Sequence, residues 1–154
     1  TGIQRSSQIS TENLKSGTEH QPISMARIFM AEDDPLMGRM YERAFRLGGH
    51  ELTLAHDGAE ALEVIATMNP HPSVIMLDVM MPKMSGFDVL AKIKQDSALK
   101  NIPVVLLTNL AGQEDAHKAL AMGALKNLVK SSYNPKQVVE EITSIANSHK
   151  ANHS

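Results

Sequence analysis

Cysteine is absent from the 154 residues, which excludes a disulfide framework, a thiol nucleophile and a thiolate metal site together. Basic blocks are missing as well. The net charge is −2 and no helix-length stretch concentrates Lys and Arg, so nothing marks a surface for direct nucleic-acid binding. No apolar stretch approaches the roughly 20 residues of a membrane-spanning helix, and the N-terminus lacks the charged-then-apolar order of a secretory signal. Neither Gly-x-x-x-x-Gly-Lys-Ser/Thr nor Gly-x-Gly-x-x-Gly occurs, so a nucleotide-binding fold has no motif support. The seven histidines are scattered, none in a metal spacing or beside a nucleophile, and they read as surface residues. The expectation left standing is a cytoplasmic protein with no membrane partner. Its composition, 42% hydrophobic and 21% charged, is that of an ordinary globule long enough for one domain with a real core.

What is present is a set of polar residues, each ending an apolar, strand-like run. Glu32 and Asp33 follow Ile28-Phe29-Met30-Ala31, and Asp78 follows Val74-Ile75-Met76-Leu77. Thr108 follows Val104-Val105-Leu106-Leu107, and Lys130 follows a run from Leu125 to Val129. Parallel strands buried on both faces read as continuous hydrophobic runs, and open α/β sheets bind ligands outside the carboxyl ends of their strands. Three carboxylates, a hydroxyl and an ammonium would therefore share one edge. Clustered carboxylates need a cation, so the pattern points to a hard metal ion and an anion, the ingredients of phosphoryl transfer. Taken singly, each residue has an ordinary alternative. A strand-end Asp is commonly a turn or cap, Lys130 could be a surface charge, and Thr108 could reflect β propensity.

Along the chain, residues 1–24 are polar, Ser/Thr-rich and almost aperiodic, which predicts a disordered leader or an added, non-native extension; Met25 stands where a start is expected. From there strand and helix alternate. Strands are expected over 27–31, 51–55, 74–77, 102–107 and 125–129. Helices are expected over 35–47, 58–68, 86–94, 113–122 and 135–147. Pro35 suits an early helical position, Asp57 with Glu60 reads as a capping box, Ser85 as an N-cap, and Asn134-Pro135 as a cap followed by N1. The ten Met residues read mostly as core filler. Five βα units in about 120 residues imply a doubly wound α/β fold, a five-stranded parallel sheet with helices on both faces. The domain is expected over 25–148 and a disordered tail over 149–154.

The runs from Ile28 to Pro35, from Leu77 through Asp78-Val79-Met80-Met81-Pro82-Lys83-Met84-Ser85-Gly86, at Leu107-Thr108-Asn109, and at Leu128-Val129-Lys130 resemble the receiver domain of two-component response regulators. The resemblance is to stand-alone, chemotaxis-type receivers, and four motifs agree in order and spacing. It implies the flavodoxin-like strand order 2-1-3-4-5. It also implies that Asp78 accepts a phosphoryl group from a sensor histidine kinase or phosphotransfer protein, with Thr108 and Lys130 holding phosphoryl oxygens. Glu32, Asp33, Asp78 and the Met80 backbone carbonyl would hold Mg²⁺. Such a protein is no enzyme beyond its own phosphorylation and dephosphorylation, and it acts on an output protein that the sequence leaves unnamed.

Three positions depart from the usual receiver pattern. Ser131 follows Lys130 where proline is common, so the Lys130–Ser131 peptide is expected to be trans, a cis bond there costing about 2.5–4 kcal/mol. Asn127 stands where the switch aromatic is usual, and Asn109 is bulkier than the small residue often found after the Thr. A small polar Asn127 gains little by burial, so phosphorylation-driven change is expected over 108–112 and independent of its side chain. The alternative function is a receiver-like interaction module that phosphorylation does not regulate. A phosphatase using an aspartyl-phosphate is a third class, disfavoured because the chain has no cap domain.

Overall fold

Continuous apolar runs become strands in the computed structural model of the protein, which describes residues 25–109 and 113–153. In chain order the elements are β1 (Arg27–Ala31), α1 (Pro35–Leu47), β2 (Glu51–Ala55), α2 (Gly58–Thr67) and β3 (Val74–Asp78). Then follow α3 (Gly86–Gln95), β4 (Val104–Thr108), α4 (Gln113–Ala121), β5 (Lys126–Val129), a 3₁₀ turn (Lys130–Ser132) and α5 (Pro135–His153). The strands are parallel and ordered β2-β1-β3-β4-β5. This is the doubly wound, flavodoxin-like arrangement. The leader expected over 1–24 lies outside the described residues, as do residues 110–112 of the loop before α4.

Alternation along the central strands divides the core in two. Phe29, Ala31, Ile75, Leu77, Val104 and Leu106 face one side, where Ala61 and Ile65 of α2, Leu90 and Ile93 of α3 and Ala119 of α4 cover them. Ile28, Met30, Val74, Met76, Val105 and Leu107 face the other, beneath Tyr41 and Phe45 of α1 and Val138 and Ile142 of α5. A period of two between successive side chains is what commits each strand residue to one layer.

Caps set the helix starts. The Asp34 carboxylate accepts from the Leu36 and Met37 N–H groups at 2.9 and 3.4 Å, which starts α1. Ser85 and Asp88 form a reciprocal capping box on α3, and Asn134 and Gln137 exchange similar bonds at α5. Asp57 caps α2 through the Glu60 N–H at 2.8 Å. Glu60 does not complete the expected box, however, because its carboxylate takes the His56 N–H instead. The last helix also outruns its expected end at 147 and continues to His153, into the stretch expected to be a disordered tail. No Pro or Gly from Ser148 to His153 interrupts it.

His50 corrects the reading of the histidines as surface groups, being only 5% exposed. The turn at Gly48-Gly49 carries it inward. Its Nδ1 accepts the Ala26 N–H at 3.1 Å and its Nε2 meets Thr143 Oγ1 at 2.8 Å. No helix among the described residues is long and apolar enough to cross a membrane.

Candidate functional site

Where the strands end at their carboxyl side, backbone geometry gathers charge. Glu32, 1% exposed, lies two residues beyond Met30, and Asp78, 2% exposed, two beyond Met76. Lys130 lies two beyond Leu128. Met30, Met76 and Leu128 all belong to the α1/α5 layer, so alternation delivers all three polar side chains to the same side of the sheet end. There Lys130 Nζ donates to Glu32 Oε1 at 2.8 Å and to Asp78 Oδ2 at 2.9 Å. The remaining oxygens are also held: Glu32 Oε2 accepts the Asp34 N–H at 3.1 Å and Asp78 Oδ1 the Met80 N–H at 3.2 Å.

Carboxylate oxygens of Glu32, Asp33 and Asp78 all lie within 4.8 Å of one another, with Asp33 exposed at the rim. An octahedral Mg²⁺ shell at 2.0–2.1 Å spans about 4.2 Å between opposite ligands. A small movement of the exposed Asp33 therefore closes the set around a divalent ion, and the donors are the hard oxygens such an ion prefers. The site opens into a cleft of about 560 Å³ also lined by Met37, Met80, Asn109 and Ser131.

The electrostatics follow from two buried carboxylates sharing one ammonium, with the exposed Asp33 beside them. Burial raises the Glu32 carboxyl above its ordinary range; the hydrogen bond from Lys130 opposes this, and the Asp78 charge adds to it. For Lys130, burial works against the charged form, yet the two carboxylates outweigh it and its pKa is raised. The lysine is thus held cationic, while the carboxylates remain short of positive charge.

Thr108 stands apart from this cluster. It follows Leu106 in the α2/α3/α4 layer, so alternation gives it the opposite side of the sheet. It is 3% exposed and its Oγ1 has no hydrogen-bond partner. The Lys130–Ser131 peptide is trans, as expected; the one cis bond among the described residues is Asn69–Pro70.

Several supports were not apparent from the residue pattern. A Cβ on Gly86 would lie 2.5 Å from the Asp78 carbonyl oxygen. Only glycine lets the start of α3 pass this close behind the nucleophile candidate, and the Ser-Gly pair after the third strand was the available signal. Lys83 in the same loop has φ 69°, a left-handed conformation that side chains rarely adopt. The buried carbonyl of Asn127, likewise unpartnered, had no sequence signal beyond the oddity of an amide there.

With that geometry in hand, comparison with known proteins is decisive. Residues 28–143 match the response regulator receiver domain. The chain belongs to this family. It is 40% identical over 105 residues to the response regulator PleD of Caulobacter vibrioides, covering 68% of this chain and 23% of PleD. The solved chemotaxis response regulator CheY4 of Vibrio cholerae is 29% identical, with a TM-score of 0.72 over 79% of this chain and 99% of CheY4. The Mn²⁺-bound form of response regulator Rcp1 is 31% identical, with a TM-score of 0.66 over 78% of this chain and 91% of Rcp1. The chain spans about half or less of the length of the first curated relatives it matches, 49% and 23%.

Proposed function

We propose that this receiver is a phosphorylation switch that takes a phosphoryl group onto Asp78 from the phosphohistidine of a sensor kinase or phosphotransfer protein. The observation that carries this reading is the partly buried Lys130 ammonium bridging Glu32 and Asp78, with an Asp33 carboxylate oxygen within 4.8 Å of theirs.

One Asp78 carboxylate oxygen attacks phosphorus in line with the imidazole leaving group. The P–N bond breaks as the P–O bond forms, and the imidazole nitrogen keeps the bonding pair and takes a proton. Charge spreads over the three equatorial oxygens. Lys130 already sits on Asp78 as a compact point charge, so it neutralises one of these oxygens with little reorganisation. Thr108 donates its hydroxyl to another. Glu32, Asp33, Asp78 and the Met80 carbonyl would hold Mg²⁺, which when bound supplies the further positive charge that three carboxylates otherwise oppose. Met80 N–H keeps Asp78 in one rotamer, and the Gly86 contact fixes the backbone behind it.

In this reading the protein catalyses only its own phosphorylation and dephosphorylation, in the cytoplasm. The phosphorylated form changes its affinity for an output protein or passes the phosphate onward. The test is labelling by acetyl phosphate with Mg²⁺. The wild type should incorporate phosphate and Asp78→Asn should incorporate none; full labelling of that variant sinks the reading. An intact wild type that is never labelled supports the unregulated interaction module.

A further inference from the structure

Sulfur in this chain means methionine, because cysteine is absent and ten Met residues are present. Most of them are sheltered. Met30 and Met76 are fully buried, and five more pack partly buried against the two core layers. Three are exposed: Met25 at 66%, Met40 at 42% and Met80 at 65%. Met25 stands just before β1, at the amino edge of the sheet. Met80 is placed differently. It lies two residues beyond Asp78, lines the same cleft as Glu32, Asp33 and Lys130, and its own N–H holds Asp78 Oδ1 at 3.2 Å. An accessible thioether thus springs from backbone pinned to the candidate nucleophile, on the wall that a phosphodonor would pass.

We propose that Met80 is a redox modification site, at which oxidation of the thioether to the sulfoxide hinders entry of anionic phosphodonors to this cleft. The proposal rests on the phosphoryl reading of Asp78. The oxidant is a peroxide. The sulfur lone pair attacks one oxygen of hydrogen peroxide, and the O–O bond breaks as the S–O bond forms. The departing hydroxide takes the proton of the transferred hydroxyl and leaves as water; sulfur is oxidised and the peroxide reduced. The product is polar where the thioether was apolar, and its S–O dipole carries a negative oxygen. Glu32, Asp33, Asp34 and Asp78 already line this cleft against the single cation Lys130. A further acceptor oxygen there adds to the field that repels an incoming phosphate. Met37 and Met80 are also the two apolar side chains of this lining, so the sulfoxide removes one of its two apolar contacts. Methionine sulfoxide reductases restore the thioether, which makes the modification a reversible brake. Met25 is the matched control. It is as exposed as Met80 and should oxidise as readily, yet its sulfoxide lies at the opposite end of the sheet.

The test treats the full chain with hydrogen peroxide, maps each sulfoxide by peptide mass spectrometry, and times labelling by acetyl phosphate with Mg²⁺. In partly oxidised wild type, the phosphorylated fraction should be depleted of Met80 sulfoxide and not of Met25 sulfoxide. Fully treated wild type and Met25→Leu should label several-fold more slowly, each against its own untreated rate, and reductase treatment should return that rate. Met80→Leu should hold its own untreated rate through the same treatment. Wild type mapped as Met80 sulfoxide that labels as fast as before, or faster, overturns the proposal. So does a Met80 that stays reduced while Met25 is oxidised. A loss in Met80→Leu as large as in wild type overturns it too, since the sensitive sulfur then lies elsewhere. Untreated wild type that is never labelled means that the phosphoryl reading has failed and this inference with it, whereas a labelled but peroxide-indifferent wild type sinks this inference alone.

Discussion

At the amino ends of the strands, His50 is buried with both ring nitrogens served. Because Nδ1 accepts the Ala26 N–H, the ring proton sits on Nε2 and is donated to Thr143 Oγ1. At the carboxyl ends, Glu32 and Asp78 are buried more deeply, yet two carboxylates divide one ammonium and the nearby Thr108 hydroxyl has no partner. Both clusters are polar groups at the end of the same sheet. The first is neutral and complete, ties β1 to α5, and asks nothing of a ligand. The second has a donor on every oxygen of its two buried carboxylates but only one ammonium between them, the imbalance that the proposed cation would relieve. Charge balance, more than burial or hydrogen-bond count, separates the polar group that holds a structure from the one fitted for chemistry.

The sharpest way to break that contrast is to remove the one cation. Lys130→Met leaves two buried carboxylates facing each other, and losing one partner of a buried pair costs about 3–5 kcal/mol. Urea unfolding without divalent ions should show this loss. The surface pair Lys126–Glu141 provides the control, since Lys126→Met should cost less than about 1 kcal/mol. Equal losses would mean that the Lys130 cluster is no more demanding than a surface ion pair.

A smaller effect comes from adding a cation. Mg²⁺ should raise the melting temperature of the wild type, because the ion binds the folded site and relieves the repulsion of three carboxylates; at 100 times its Kd the gain is about 2.7 kcal/mol. Asp33→Ala should lose most of that response while keeping the His50 network intact. A wild-type melting temperature indifferent to millimolar Mg²⁺ would contradict the reading of this edge as incomplete.

These contrasts also show what a one-dimensional pattern can carry. The apolar runs marked the strands because burial on both faces removes polar residues from the run, and the polar residues at their carboxyl ends marked the candidate site because chain polarity puts all of those ends on one edge. Glu32, Asp78 and Lys130 were legible for that reason. Partnership between polar atoms was not. That Thr108 belongs to the other layer depends on where alternation stands when β4 stops, and that Glu60 serves His56 in place of Asp57 depends on a side-chain torsion. His50 was misread because the Gly-Gly turn that buries it has no periodicity, and its partner Thr143 lies 93 residues away.

The gentlest probe of the comparison is pH. Burial lowers the His50 pKa below its ordinary 6.5, so the folded protein prefers the neutral ring and the unfolded chain binds the extra proton. The stability this contributes is fully present above the unfolded pKa of about 6.5 and is lost progressively as pH falls through the lower folded value. Geometry works in the same direction as burial: a proton on Nδ1 would put two donors face to face at the Ala26 N–H. The midpoint of urea unfolding should therefore fall below about pH 6.5, and His50→Gln should flatten that fall. Thr143→Val should lower stability by about 1–3 kcal/mol at neutral pH by orphaning the Nε2–H. It should not flatten the fall, because the Ala26 N–H that opposes protonation remains in place. A wild-type midpoint that held steady from pH 8 to 5 would show that His50 is not kept neutral by the fold, and the amino-end network would lose its standing as the satisfied member of the pair.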